Sequence, residues 1–184
     1  MKNEWPYLST PEAKARYVIA AHYLRECSKV VEIGGYVTPI HEALAPAGQE
    51  VWGFDPKVPE RDFSFGQERA MKVRQRPLRF QAAEMPFERG SYGLVLIGCS
   101  LKFDKKDPKD KFEGMGKLQS WAMNSKIVVL EHARGWEPAL EVAQLFSSLP
   151  SHEQILNLGL QIPVAAPDSP EFGDRLLQIW AKRS

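Results

Sequence analysis

The sequence has few of the features that place a protein outside the cell or on a charged surface. It contains 2 cysteines among 184 residues, Cys27 and Cys99, which do not make a disulfide framework and indicate a reduced, cytoplasmic setting. No apolar run approaches the roughly 20 residues that are needed to span a bilayer, and residues 1–10 contain no apolar signal-peptide core. The formal net charge is +1, so the charge balance points neither to nucleic acid nor to a membrane surface.

What is present is the composition of an ordinary globular protein. Hydrophobic residues make up 43% of the chain and charged residues 26%, and 184 residues fit one domain with a sizeable core. We find no internal repeat, no linker, and no His, Cys or Asp cluster with metal-ligand spacing. We therefore predict a single soluble domain over residues 1–184, with an N-terminal helical cap at 1–28 and no structural zinc site.

The most informative stretch is residues 29–45, KVVEIGGYVTPIHEALA. It begins with a β-branched apolar run that only Glu32 interrupts, and the run ends at Gly34 and Gly35, a pattern that is typical of a buried strand. A threonine–proline pair then supplies a side-chain cap and a first-turn proline, which predicts a helix from about 39 to 45. The strand, turn and helix place backbone N–H groups over a ligand site at the carboxyl end of the strand.

Strands and helical stretches alternate along the rest of the chain, which is typical of a mostly parallel α/β sheet with right-handed crossovers. The patterns predict strands at 29–33, 50–54, 78–82, 92–98, 126–130, 154–162 and 176–182. They predict helices at 10–25, 39–45, 67–74, 117–123 and 137–148, an exposed loop at 56–66, and a solvated loop or helix at 102–117. The last two strands are too close in sequence for a crossover helix, so we expect them to pair antiparallel.

Seven strands that end in an antiparallel pair resemble the class I S-adenosylmethionine-dependent methyltransferases, and the resemblance covers nearly the whole chain. VVEIGG (30–35) resembles the first motif of that family, an acid followed by a glycine turn. LAPAGQEVWGFDP (44–56) is similar to the second motif, and FQAAEMPFERGSYGLVLIG (80–98) resembles the stretch from the adenine-binding loop into the fourth strand. The resemblance implies a Rossmann-like, seven-stranded sheet with helices on both faces.

The resemblance also implies S-adenosyl-L-methionine as the cofactor. Glu32 matches the acid that contacts the methionine amino end, and Asp55 matches the acid that binds the ribose hydroxyls. The other matched positions lie in the glycine turn, the adenine loop and the end of the fourth strand: Gly34, Gly35, Tyr36, Ala82, Ala83 and Gly98.

Four positions depart from the family's pattern. Tyr36 and Thr38 stand where further glycines are usual, Gln81 stands where an acid usually reads the adenine amino group, and Gly93 replaces an acid near the fourth strand. These departures favour an alternative, a catalytically silent methyltransferase-like subunit that scaffolds a partner protein or binds a different ligand.

Two further alternatives concern the acids themselves. Glu32 could be a structural partner of Arg25 or Lys29 rather than a ligand contact. A nicotinamide-binding enzyme would also use Asp55, but that reading is disfavoured because G-x-G-x-x-G is absent and Glu32 precedes the turn.

Methyl transfer needs mainly positioning, with a base only for weak nucleophiles. The candidate catalytic residues are His132, Glu131 and Ser100, of which His132 is the best general-base candidate because it follows a buried strand. A structural or surface histidine is an equally good interpretation. The motif Asn/Asp-Pro-Pro-Tyr is missing after the fourth strand, where GCSLKF (98–103) stands, and no basic domain is appended. We therefore expect a small-molecule substrate rather than nucleic acid, and we leave a homodimer or a heteromeric partner open.

Overall fold

In the described residues, eight strands form one sheet, and helices pack against it. The computed structural model describes residues 10–35, 40–44, 48–67, 70–85, 92–98, 108–162 and 173–184. Those ranges contain, in chain order, α1 (Pro11–Leu24), β1 (Lys29–Ile33), α2 (Ile40–Ala43), β2 (Glu50–Phe54), β3 (Arg61–Phe65), β4 (Met71–Arg76), β5 (Tyr92–Leu96), α3 (Pro108–Asn124), β6 (Ile127–Ala133), α4 (Glu137–Ser147), β7 (His152–Gln161) and β8 (Asp174–Lys182). The strand order is β3-β4-β2-β1-β5-β6-β8-β7.

The sheet is parallel in its middle and antiparallel at both edges. Strands β4, β2, β1, β5 and β6 pair in parallel, and β6–β8 and β8–β7 pair antiparallel. The Rossmann-like sheet with a terminal antiparallel pair is thus confirmed. The strand order reverses between β1 and β5, which creates a topological switch point at their carboxyl ends.

The predictions for residues 56–82 were wrong. The expected loop at 56–66 contains β3, the expected helix at 67–74 is replaced by β4, and 78–82 is not a strand. In β4, buried residues alternate with less buried ones. The charged residues between the buried ones are the reason that the local pattern predicts a weak helix here rather than a strand. Since β3 pairs antiparallel with β4, the sheet has eight strands in the described ranges rather than seven.

Apolar side chains alternate along the strands between two cores, one on each face of the sheet. One core joins α1 and α2 to residues such as Val30 and Val51, and the other joins α3 and α4 to residues such as Val31 and Leu94. Helices on both faces are therefore confirmed. None of the helices in the described ranges is long and apolar enough to cross a membrane.

The boundaries of the helices agree only partly with the prediction. Thr10 caps α1 as expected, because its hydroxyl accepts a hydrogen bond from the Ala13 N–H at 3.1 Å. Helix α3 (Pro108–Asn124) joins the predicted helix at 117–123 to part of the stretch at 102–117, which was predicted as a loop or helix, and α2 is a single turn.

Gly93 allows α1 to pack closely on β5. A Cβ atom at this position would lie 2.1 Å from the Cδ2 atom of Leu24 and 3.4 Å from the Sγ atom of Cys27. The departure at Gly93 thus has a local explanation, because the first helix already occupies the space that a side chain would need.

Candidate active site

Several of the predicted residues meet at the carboxyl edge of the sheet, beside the switch point between β1 and β5. Glu32 lies in β1, Asp55 directly follows β2, Gly98 follows β5, and Glu131 lies in β6. The charges of Arg16 and Asp55 both act on Glu32, and Arg16 also contacts Glu131 directly. The sequence-based placement of these residues along one edge therefore agrees with the structure.

The Glu32 carboxyl group is fully buried, and only one of its two oxygens has a hydrogen-bond partner among the described residues. Its Oε2 atom accepts a hydrogen bond from the Ile40 N–H at 3.2 Å, at the start of α2. Its Oε1 atom has no hydrogen-bond partner among the described residues. Burial raises the pKa of Glu32 to about 8, against the Ile40 hydrogen bond and the charge of Arg16.

The two turn glycines allow the chain to pass close to this carboxyl group. Gly34 has a φ of 73° and donates its N–H to the Phe54 carbonyl at 2.9 Å. A Cβ atom at Gly35 would lie 2.5 Å from both Cδ and Oε1 of Glu32. Glycine at position 35 therefore keeps open the space beside the unpartnered oxygen. The predicted contact Tyr36 lies outside the described residues.

Asp55 is partly exposed at the end of β2. Its Oδ1 atom accepts a hydrogen bond from the Lys57 N–H at 2.8 Å, and its own N–H donates to the Arg76 carbonyl at 3.3 Å. These contacts orient the start of the loop after β2. The charge of Asp55 adds to the burial that raises the pKa of Glu32, which places the two carboxyl groups within electrostatic reach of each other.

The loop with Ala82 and Ala83 forms a turn rather than the predicted strand. The N–H groups of Ala82 and Ala83 donate within the turn, to the carbonyls of Arg79 at 3.0 Å and of Phe80 at 3.1 Å. These N–H groups are therefore occupied. Apolar side chains line the same region and belong to one core: Phe54, Phe80, Ala83, Met85 and Trp121.

Lys117 holds this loop from helix α3, and sequence reasoning missed it. Its Nζ atom donates to the carbonyl of Gln81 at 2.9 Å and to that of Ala83. The side-chain amide of Gln81 donates to Asp110 at 3.4 Å. Helix α3 therefore fixes the loop at two points.

Glu131 is the centre of a buried ion cluster. Its Oε1 atom accepts from Arg175 Nε at 2.6 Å, and its Oε2 atom accepts from Arg16 Nη1 at 2.9 Å, Arg175 Nη2 at 3.1 Å and the Gly98 N–H at 2.7 Å. Burial alone favours the neutral acid, but the hydrogen bond from Arg175 and the charges of Arg16 and Arg175 outweigh it and lower the pKa of Glu131. Both carboxylate oxygens are thus engaged.

His132 does not form a pair with Glu131. Neighbouring residues of a strand point to opposite faces, so the two side chains lie on opposite sides of the sheet. His132 is fully buried, with Nδ1 2.8 Å from the Ala133 carbonyl and Nε2 3.4 Å from Oε1 of Gln178. Ser100, the third catalytic candidate, lies outside the described residues. In the part of the chain that the structure describes, no group of three or more His, Cys, Asp or Glu side chains could hold a metal ion.

Arg16 had a weak signal in the sequence. The buried residues of α1 recur at helical spacing, and Arg16 is the charged member of that set: Ala13, Arg16, Tyr17, Ala20, Ala21 and Leu24. A charged side chain in such a stripe needs a buried partner. The sequence could indicate that Arg16 has a partner, but it could not identify Glu131.

Comparisons with known proteins reveal relatives of the fold only. No family model matches the chain, and no curated protein matches it. Among solved structures, the N-methyltransferase NodS from Bradyrhizobium japonicum WM9, crystallised with S-adenosyl-L-homocysteine, is 13% identical, with a TM-score of 0.65 over 100% of this chain and 94% of that chain.

Two other solved structures are also similar to the chain. The 23S rRNA methyltransferase ErmE is 13% identical, with a TM-score of 0.52 over 95% of this chain and 69% of that chain. A TehB-like SAM-dependent methyltransferase from Corynebacterium glutamicum is 15% identical, with a TM-score of 0.51 over 91% of this chain and 86% of that chain. The chain therefore has the fold of the class I S-adenosylmethionine-dependent methyltransferases.

Proposed function

We propose that this protein is an S-adenosylmethionine-dependent methyltransferase that acts on a small molecule. The observation that supports the cofactor best is the Oε1 atom of Glu32, a buried carboxyl oxygen without a partner among the described residues. Leaving such an atom unsatisfied costs free energy, and an ammonium group on a ligand would satisfy it. Gly35 leaves space beside that oxygen where a Cβ atom would intrude, so the residues fit a ligand with an amino group.

We assign the parts of the cofactor to the residues at this edge. Glu32 and the Gly34–Gly35 turn would bind the methionine amino end, and Asp55 would bind the ribose hydroxyls. The turn at Ala82 and Ala83, held by Lys117, would present its apolar surface to adenine. From the family resemblance alone, we also assign cofactor contacts to Tyr36 and Gly98. When bound, the cofactor supplies the methyl group of a sulfonium, and the protein has to align the acceptor with it.

We assign a different role to each of the three catalytic candidates. We assign Glu131 to positioning, because both its oxygens are engaged by Arg16, Arg175 and Gly98. His132 stays the general-base candidate from the sequence, and its buried ring, on the side of the sheet opposite Glu131, contacts the Ala133 carbonyl and Gln178. Ser100 remains a candidate for acceptor binding after β5.

Two cations of β4, Arg74 and Arg76, are already paired with acids, which supports a small substrate over a phosphate backbone at these two residues. Arg74 contacts Glu50 at 2.7 Å and Asp62 at 2.8 Å, and Arg76 contacts Asp62 at 2.6 Å. Binding of a nucleic-acid backbone needs cations that are free to neutralise phosphates. ErmE is an rRNA methyltransferase, so RNA is the competing substrate class that the experiment must include.

We propose that residues 1–184 form one methyltransferase domain and that α1, within the predicted cap at 1–28, helps to build the site through Arg16. A cytoplasmic location, proposed from the 2 cysteines, is compatible with this cofactor. The alternative is a catalytically silent subunit that binds a partner protein, supported by Tyr36 and Thr38 in the glycine motif.

Calorimetric titration with S-adenosylmethionine and S-adenosylhomocysteine tests the proposal. We expect binding that Asp55→Ala abolishes and Glu32→Gln weakens, with the fold of each variant checked by circular dichroism. Glu26→Gln, at an exposed acid far from the edge, is the matched control and should bind like the wild type. Absence of heat and of any thermal shift at millimolar ligand would reject the enzyme and favour the silent subunit. Transfer of labelled methyl groups to RNA, but not to a small-molecule fraction, would reject the small-molecule substrate.

A further inference from the structure

Glu32 is buried without a cation in direct contact in the described part of the chain. Arg16 acts on it only through its charge, because the hydrogen bonds of the Arg16 guanidinium go to the Ala13 carbonyl at 2.9 Å and to Glu131 at 2.9 Å. Glu131 in turn is shared between two arginines. The positive charge that acts on Glu32 is therefore already engaged elsewhere.

The other charged or titratable groups around Glu32 do not neutralise it. Asp55, after β2, carries a charge of the same sign and raises the pKa of Glu32 in addition to the effect of burial. From α2, the ring of His41 packs edge-on against Phe63 and Phe65 of β3, with centroid distances of 5.3 Å and 5.0 Å. The hydrogen bond from the Ile40 N–H is thus the one hydrogen bond that the Glu32 carboxyl group receives from the described residues.

We propose that Glu32 holds a proton in the ligand-free protein and releases it to solvent when the amino group of the cofactor binds. This proposal rests on the proposed function, since it concerns the same site. It follows from the geometry: a fully buried carboxyl group with one free oxygen, one backbone donor and no direct cation is more stable neutral than charged. The pKa of Glu32, raised to about 8 by burial, supports it.

The charges and protons of this step balance. The Glu32 oxygen loses its proton to the buffer, and the ammonium N–H of the ligand donates a hydrogen bond to the carboxylate that remains. The two opposite charges neutralise each other at the site, and no covalent bond of the cofactor changes. A carboxyl group with an ordinary pKa of about 4.3 would have no proton to release near neutral pH.

Proton release makes cofactor affinity depend on pH. Below about pH 8 the carboxylate form of Glu32 is the minor form, so the affinity should rise about tenfold for each pH unit. Towards and above pH 8 the increase should stop, because Glu32 is then ionised before the ligand arrives and the α-amino group of the ligand itself begins to lose its proton.

Calorimetry in buffers of different ionisation enthalpy measures this proton directly. With S-adenosylhomocysteine at about pH 6.5, we expect release of about one proton per ligand from the wild type. Glu26→Gln, at an exposed acid paired with Lys126, is the control and should bind and release a proton like the wild type, whereas Glu32→Gln should bind without release. Binding by the wild type without proton release would overturn the inference and leave the proposed function intact.

A second measurement shows directly whether Glu32 is protonated in the absence of a ligand. The side-chain carboxyl ¹³C signal that disappears in Glu32→Gln should titrate near pH 8 in the ligand-free protein. A titration in the ordinary range of glutamate would overturn the inference even if calorimetry shows no binding at all. Absence of binding together with a titration near pH 8 would instead reject the proposed function and retain the protonated Glu32.

Discussion

Arg16 in α1 and Glu131 in β6 form a buried ion pair across 115 residues of sequence, with Nη1 2.9 Å from Oε2. Arg175 in β8 contacts both oxygens of the same carboxylate. Three elements that are distant in sequence are therefore joined at the carboxyl edge of the sheet. The first helix belongs to the framework of the candidate site and is more than a covering segment.

Glu131→Gln should destabilise the protein strongly. The substitution leaves the charges of Arg16 and Arg175 buried without a counter-charge, which costs on the order of 3–5 kcal/mol. Unfolding in urea measures this loss. Glu26→Gln removes the exposed pair with Lys126 and should leave the unfolding midpoint nearly unchanged. Equal effects of the two substitutions would show that the buried cluster does not stabilise the fold.

Glu32→Gln should stabilise the ligand-free protein, and more so as the pH rises. The unfolded chain loses the Glu32 proton near pH 4.5, whereas the folded protein keeps it up to about pH 8. The folded state therefore binds more protons in this window, and the free energy of unfolding falls with pH. At pH 7 the variant should be more stable by on the order of 3 kcal/mol. Urea unfolding of both proteins at pH 5 and pH 8 checks the prediction, and parallel pH profiles would contradict it.

Gly35→Ala should abolish most of the cofactor binding. The added methyl group would lie 2.5 Å from the Glu32 carboxyl group and must displace it, and such overpacking typically costs about 1–3 kcal/mol. We expect a loss of affinity of at least about tenfold, measured by calorimetry. Gly116→Ala in α3 is the control, because nothing lies within 4 Å of its added Cβ and alanine favours the helix by about 1 kcal/mol. Wild-type affinity in Gly35→Ala would argue against a ligand at Glu32.

Lys117→Met should weaken cofactor binding and loosen the loop at residues 80–85. The substitution removes the hydrogen bonds to the carbonyls of Gln81 and Ala83, and charged hydrogen bonds of this kind are worth about 1.5–3 kcal/mol. Hydrogen exchange should accelerate in residues 80–85, and calorimetry should report lower affinity. Lys111→Met, which removes only an exposed pair with Glu141, should change neither result. An unchanged exchange rate in the loop would remove Lys117 from the site.

Gly93→Ala should destabilise the packing of α1 on β5. Its Cβ would lie 2.1 Å from Leu24, and overpacking of this kind costs about 1–3 kcal/mol. In a Leu24→Ala background, Gly93→Ala should cost less free energy of unfolding than in the wild type, because the shorter side chain no longer meets the new methyl group. Urea unfolding of the two single variants and the double variant gives the coupling between the sites. Strictly additive effects would mean that the contact is not the cause.

The amino-acid sequence by itself determined the central strands and the positions of the acids at their ends. Buried parallel strands are short runs of Val, Ile and Leu on both faces, so β1, β5 and β6 are recognisable locally. Glu32 stands out because it interrupts such a run, and Asp55 because it follows one. A polar residue at the end of a buried strand is a local signal that needs no knowledge of its neighbours.

Only the tertiary structure decided the edge hairpin and the pairing of the charges. Strand β3 has no fully buried residue and β4 has three at alternate positions among charged ones, so their local pattern resembles a charged loop until the antiparallel pairing joins them. Glu131 was predicted as a catalytic candidate, and its engagement by Arg16 and Arg175 depends on contacts across 115 and 44 residues of sequence. Local pattern determines which residues end a strand, whereas long-range packing determines which charges are neutralised, and so which carboxyl group remains free for a ligand.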